Sequence, residues 1–303
     1  MSRILITGIG GPAGRASATF FHSRGHEVIG TDIQGTDTLC DCFHLVPPGN
    51  DPRFGRALLE LISREAPSVL LPTVSEELPF VARLRREVNK HEVRLFISDP
   101  GVVDIANDKY YTAMRLRALG IPTPATLIPA QVQSTAEVAS ILGYPFIVKP
   151  RIGRGGRGVR IYYNCDEAMA ETRRDVVFQE FISGVEYDVN LFAFPAGYTR
   201  AVVVLLKTAM KEGTVGNAVS VQRVGCPDVA EVAIAAARTL RLEGPVDMDI
   251  RRDMDGLPRI LEINGRVGAN VLAAAEVLEE LSHATNERVM HHDALVHQYA
   301  QSI

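Results

Sequence analysis

The chain has 303 residues, 46% hydrophobic and 22% charged, with a formal net charge of −4. These values are ordinary for a globular chain of about two domains, and no run of roughly 18 apolar residues suggests a membrane span. The acidic balance and the absence of tryptophan argue against a nucleic-acid surface or a base-stacking platform.

In chain order, Ile4-Leu5-Ile6-Thr7 reads as a strand that starts at once and leaves no room for a leader. Four cysteines without framework spacing predict a reducing, cytoplasmic setting. A glycine turn, Gly8-Ile9-Gly10-Gly11-Pro12-Ala13-Gly14, leads into a helix through Phe21, and Glu27–Asp32 forms a second strand. With Val69-Leu70-Leu71-Pro72 as a later strand, this is a doubly wound βαβ layout on a parallel sheet. The turn is similar to a dinucleotide fingerprint, and Asp32 falls near the place of a ribose-binding acid. An NAD(P)-dependent oxidoreductase is therefore one reading. Pro12 interrupts the turn, however, and Gly10 and Gly11 are equally suited to wall a substrate site. Cys40-Asp41-Cys42 and His44 lack a second ligand pair and read as ordinary side chains. Glu76 ends a parallel strand, where it either holds a substrate ammonium group or, with Glu77, opens the next helix.

Asn107-Asp108-Lys109 opens a helix that runs to Leu119 and stops at Gly120. A lysine in a first helical turn is unfavourable for the helix dipole, which points to another reason for Lys109. Pro145–Lys149 reads as a buried strand, and the loop Gly153-Arg154-Gly155-Gly156-Arg157-Gly158 precedes a second strand, Arg160–Tyr163. Glycines let backbone N–H groups approach an anion closely, and Lys149 at the loop's base suits a phosphate. The rival reading is an arginine-glycine segment of a non-catalytic nucleotide- or RNA-binding module. Val177–Val189 reads as strand, turn at Ser183-Gly184 and strand, carrying Glu180, Phe181, Ile182 and Glu186. Lys207 and Lys211, near Gly213 and Gly216, belong either to a site or to the surface. Val229–Arg241 is a helix expected to pack through Val232, Ile234, Ala236 and Leu240. Val271–Leu281 is a helix with a solvated glutamate face, and His291, His292 and His297 sit in a surface tail.

Val246–Asp249 and Leu261–Arg266 flank Asp255-Gly256, a strong hairpin signal. A turn closed on that pair sets Asp249 opposite Glu262 and Asp247 opposite Asn264. Directly opposed carboxylates repel and need neutralising. Oxygen ligands from Asp249, Glu262 and Asn264 suit a hard cation, Mg²⁺ or alternatively Mn²⁺, that also holds phosphates. Arg266, just beyond, is able to grip a phosphate oxygen.

From about Lys109 to Arg266 these pieces, in this order, resemble the ATP-grasp superfamily. Leu119-Gly120-Ile121-Pro122-Thr123-Pro124 makes the likeness strongest to its carbamoyl-phosphate-synthase-like and amino-acid-ligase branch. The resemblance implies an α/β chain: a Rossmann-like N-terminal (pre-ATP-grasp) domain over 1–104, then a two-lobed ATP-grasp α+β domain over 105–303. Its small nucleotide-covering lobe would take about 110–176 and its metal-binding lobe about 177–303. Lys109 and Lys149 would contact ATP, with Gly153, Gly155, Gly156 and Gly158 closing over the phosphates. Glu180 and the backbone of Phe181 and Ile182 would hold adenine, and Glu186 the ribose. Asp249, Glu262 and Asn264 would hold the metal; Arg266 and Lys149 would act in catalysis. Gly10, Gly11 and Glu76 would face the substrate. The implied activity is ligation of a carboxylate to an amine or thiol, with small-molecule partners, no nucleic acid, no membrane, and a homodimer left open. Asn264-Gly265-Arg266 departs from that branch's usual Asn-Pro-Arg, which keeps the ligands but puts the local backbone in doubt.

Overall fold

The computed structural model describes residues 2–153, 155–164, 175–212 and 215–286; Arg154, Gly213 and the three tail histidines lie outside these. It opens with β1 (Arg3–Thr7), α1 (Pro12–Ser23), β2 (Glu27–Asp32), β3 (Cys42–Leu45), α2 (Phe54–Glu65) and β4 (Val69–Leu71). Then come α3 (Leu78–Arg83), α4 (Arg85–Asn89) and β5 (Arg94–Leu95). The five strands pair in parallel, in the order β3-β2-β1-β4-β5. Continuous apolar runs such as Ile4-Leu5-Ile6 suit strands covered on both faces. Strand order reverses between β1 and β4, so a crevice opens at their carboxyl ends, beside the Gly8 turn and Thr73–Glu77. Pro12 does not break the turn. It occupies the first helical position of α1, where its missing N–H costs nothing.

Next come α5 (Pro100–Asn107), α6 (Lys109–Ala118), β6 (Thr126–Leu127), α7 (Thr135–Leu142), β7 (Phe146–Pro150), β8 (Arg160–Tyr162) and β9 (Val176–Glu180). These four strands make an antiparallel sheet in the order β6-β9-β7-β8. Residues 177–180, expected in the larger lobe, therefore belong with the smaller sheet. Phe178 gives the reason, packing with Phe146, Val148 and Tyr162 in one apolar cluster.

The third sheet holds β10 (Glu186–Ala193), β11 (Thr199–Glu212), β12 (Val215–Arg223), β13 (Gly244–Arg252) and β14 (Pro258–Asn264). Its order is β12-β11-β10-β13-β14, wholly antiparallel. One face carries Val189, Leu191, Met248, Ile250 and Ile263 against α8 (Pro227–Leu240). That helix buries Val229, Ala233, Ala236, Ala237 and Leu240, while Val232 and Ile234 are only half-buried.

The last helix among the described residues, α9 (Glu276–Asn286), packs with α1: Val277, Leu278 and Leu281 share a core with Ala13, Phe20 and Phe21. Its glutamates are not merely solvated. Glu276, Glu279 and Glu280 pair with Arg223, Arg24 and Arg200, each from another element. No helix among the described residues is long and apolar enough to cross a membrane.

Candidate active site

The other face of the large sheet is polar. Across β10, β13 and β14, Asp188 pairs with Asp249 and Asn190 with Asp247; Asp249 then pairs with Glu262 and Asp247 with Asn264. The opposition expected from Asp255-Gly256 is present, by a different route. The turn sits one residue off, pairing Arg252 with Pro258, and a bulge between Asp249/Glu262 and Ile250/Ile260 absorbs the difference at Leu261. Without that bulge Glu262 would be out of step with Asp249.

Lysines neutralise the opposed carboxylates. Lys207, 5% exposed at its side chain, sets Nζ 2.6 Å from Asp249 Oδ1 and 2.5 Å from Glu186 Oε1. Lys109 sets Nζ 3.3 Å from Glu262 Oε2 and donates to the Gly153 carbonyl at 3.0 Å. Asp108 makes the placement of Lys109 possible, capping α6 by accepting from the Tyr110 and Tyr111 amides while pairing with Arg151. Burial works against the charge of Glu262, yet Lys109, Lys149 and Lys207 hold its carboxyl well below the usual range. Asp249 is pushed up by burial and by Glu186, Glu262 and Asp247, against the pull of Lys207. Lys149 is buried on β7, and among the described residues no carboxylate touches it. Burial lowers its ammonium pKa to about 8, although Glu262 attracts it.

These groups border an open cleft between the two antiparallel sheets. Lys109, Lys149, Glu186, Asp249 and Glu262 line it together with Gly153, Gly155 and Gly156. Gly156 has φ 71, and a Cβ there would come within 2.6 Å of Gly216 Cα. Glycine is required where the loop passes the β11–β12 hairpin. Gly158 packs on Pro150 beside the cleft.

Other expected residues have protein partners of their own. The Glu180 carboxylate accepts from the Ala125 amide at 3.0 Å, fastening β6 to β9. The Ile182 carbonyl accepts from Arg251, whose guanidinium lies 5.9 Å from the Phe181 ring centroid. Glu186 is buried between Arg251 and Lys207. Asn264 donates its amide to Asp247 at 3.4 Å. Arg266 reaches Asp247 at 3.2 Å and Ser75 at 3.3 Å, joining the polar face to the loop after β4. Glu76 is half-buried beside that Ser75, whereas Glu77 is buried and accepts from Thr7. The Gly10 amide donates to Asp32 at 2.9 Å, and Gly11 caps α1.

Sequence reading missed Arg251 and Gln179, which both line the cleft, and left Lys207 undecided. Arg251 was within reach, since it lies two residues beyond Asp249 on one strand face. Lys207 was not, because only the pairing of β10 with β11 brings it to Asp249.

On the polar face, Lys109, Lys149, Lys207, Arg251 and Arg266 offset Glu186, Asp188, Asp247, Asp249 and Glu262, and the exposed Arg157 also lines the cleft. A polyanion bound at this face would add negative charge that a further cation could offset. The oxygen donors of Asp249, Glu262 and Asn264 suit a hard divalent ion in that place.

A family profile described as an ATP-grasp domain matches residues 106–270, spanning both antiparallel sheets. The carbamoyl phosphate synthase large chain of Rubrobacter xylanophilus is 30% identical over 126 residues, 42% of this chain and 12% of that protein. The chain thus spans about an eighth of the length of that curated relative. Among solved structures, an L-amino acid ligase from Bacillus licheniformis aligns over 90% of this chain and 69% of its own, at 17% identity and TM-score 0.69. Biotin carboxylase from Campylobacter jejuni aligns over 96% and 72%, at 15% identity and TM-score 0.68. At such identities these structures speak for the fold alone. With more than half of its residues inside the matched profile, the chain belongs to the ATP-grasp family.

Proposed function

We propose that the protein is an ATP- and Mg²⁺-dependent ligase that activates a carboxylate as an acyl phosphate for attack by an amine or similar nucleophile. One observation carries the reading: Asp249 and Glu262, paired across β13–β14, share a cleft with Lys109 and Lys149 beneath a glycine loop. ATP-grasp enzymes use ATP and Mg²⁺, and the lysines and oxygen donors that share this cleft support the same pair here.

In this reading Lys149 and Lys109 meet phosphate oxygens, and the Gly153–Gly158 backbone covers them and excludes water. Glu180, Phe181 and Ile182 border adenine. Glu186 orients Lys207 and Arg251 as well as the ribose end. Asp249, Glu262 and Asn264 would hold Mg²⁺, which would offset the negative charge of the phosphates during phosphoryl transfer. Arg266, fixed by Asp247 and Ser75, would steady the transferred phosphoryl group. The substrate carboxylate would enter from the crevice at the β1–β4 reversal, walled by Gly10, Gly11 and Glu76. The parallel-sheet unit is then a Rossmann-like pre-ATP-grasp domain. An acyl phosphate forms there, the nucleophile displaces phosphate, and ADP and phosphate leave.

An NAD(P) reading has less support, because the Asp32 carboxylate already accepts from the Gly10 and Ile33 amides. The test is an ADP-release screen of amino acids and small carboxylates paired with amines, ammonia and thiols. Mg²⁺-dependent release that needs both partners is the expected result. Saturable NADH binding, with no effect of Mg²⁺-ATP on thermal stability, would overturn the proposal.

A further inference from the structure

We propose that Cys42, His44 and Glu65 form a separate site for a borderline divalent metal ion such as Zn²⁺. The site lies on the outer edge of the parallel sheet and does not depend on any reading of the cleft. β3 is an edge strand, and residues two apart share a face, so Cys42 and His44 point the same way. Glu65, the last residue of α2, comes to the same place. Cys42 Sγ lies 3.1 Å from His44 Nε2, and that nitrogen lies 3.2 Å from Glu65 Oε1. One ligand atom from each residue falls within 4.8 Å of the others. A tetrahedral Zn²⁺ with bonds of about 2.0–2.3 Å separates its ligand atoms by about 3.3–3.5 Å. Small adjustments therefore complete the set.

The donor chemistry separates this site from the cleft. Sulfur and imidazole favour Zn²⁺ over Mg²⁺, whereas the cleft offers carboxylate and amide oxygens. A thiolate and a carboxylate neutralise the dication, and three protein ligands leave a fourth position to water or an exogenous ligand. Binding deprotonates the Cys42 thiol, with the proton passing to solvent.

The neighbouring arginines define how the site opens. Arg3 Nη2 approaches the other carboxylate oxygen, Glu65 Oε2, at 3.4 Å, which leaves Oε1 directed at His44. Arg64 competes with a metal. Its Nη2 donates to His44 Nδ1 at 3.0 Å and its Nε to Glu65 Oε1 at 3.1 Å. With Nδ1 accepting, the ring proton of a neutral His44 sits on Nε2, the atom a metal needs. Metal binding moves that proton to Nδ1 and displaces Arg64, whose side chain is 62% exposed and free to swing into water. Bound metal would fasten the edge strand to α2.

The experiment titrates the metal-stripped full-length protein with Co²⁺ under a phosphine reductant, following the thiolate-to-cobalt charge-transfer absorption. That band reports sulfur ligation, so Co²⁺ in the cleft does not contribute. One equivalent should develop the band, Zn²⁺ should bleach it, and Mg²⁺-ATP should leave it unchanged. Cys42→Ser should abolish it. Glu65→Gln should weaken binding about tenfold or more, and Arg64→Gln should strengthen it about tenfold, on the scale of changes around a metal's immediate ligands. The proposal is overturned if neither the parent protein nor Arg64→Gln shows the band. It is equally overturned if Cys42→Ser retains the band.

Discussion

Glu262 faces Asp249 across the β13–β14 ladder, yet each carboxylate has its own lysine: Lys109 3.3 Å from Glu262 and Lys207 2.6 Å from Asp249. The lysines make this face stable before any nucleotide arrives. They also reverse the effect that repulsion alone would give to a neutralising substitution.

Glu262→Gln should abolish turnover and lower the stability of the ligand-free protein by about 1–3 kcal/mol. That is less than for a fully buried pair, since the Glu262 side chain keeps 20% exposure. A carboxyl held below its ordinary value contributes stability above that value and loses it as pH falls. The loss should therefore be full at pH 7 and shrink as pH falls from 4.5 toward about 2. Thermal melts across pH check this. An equal or higher melting temperature in the variant at pH 7 would contradict it.

Lys149 carries the clearest nucleotide prediction. Its ammonium contributes on the order of 1.5–3 kcal/mol to phosphate binding, so Lys149→Ala should weaken ATP affinity roughly ten- to a hundredfold. Burial lowers its pKa to about 8, and phosphates favour the charged form. ADP binding without metal at pH 8.5 should then take up a proton, a feature that Lys149→Ala loses. Calorimetry in buffers of different ionisation enthalpy measures both effects.

Lys207→Met should leave the buried Glu186 and the half-buried Asp249 with one counter-charge fewer, costing up to about 3 kcal/mol because the Asp249 side chain keeps 23% exposure and Glu186 keeps Arg251. Mg²⁺ should recover part of that loss. The rise in melting temperature on adding Mg²⁺ should be larger in Lys207→Met than in the parent, and an equal rise would count against metal binding at Asp249.

Gly156→Ala forces a side chain into a left-handed conformation, against Gly216. Strain of about 1–3 kcal/mol should loosen the loop. Nucleotide KM should rise and kcat should fall, with little change in global melting because the loop adds little to the core. Steady-state kinetics on an active substrate pair would show it.

Much of this site is visible in the chain because strand periodicity is local. Asp249, Glu262 and Asn264 share a face by alternation, and Lys149 lies at the foot of a glycine loop. What was hidden depends on pairing between distant segments. The bulge at Leu261 depends on how β14 meets β13, not on Asp255-Gly256 alone. Lys207 reaches Asp249 through the placing of β11 beside β10. Residues 177–180 join the smaller sheet because Phe178 completes a core with Phe146 and Tyr162, a preference that periodicity does not encode. Glu65 comes to Cys42 and His44 only once α2 has packed back along the sheet.

The most direct measurement is calorimetric titration of the full-length protein with a non-hydrolysable ATP analogue, with and without Mg²⁺, repeated on Lys149→Ala and Glu262→Gln. Saturable binding that Mg²⁺ strengthens, that Lys149→Ala weakens at least tenfold, and that no longer responds to Mg²⁺ in Glu262→Gln is the predicted result. Parent-like affinity and parent-like Mg²⁺ response in both folded variants would contradict it, and the cleft between the two antiparallel sheets would not be the nucleotide site.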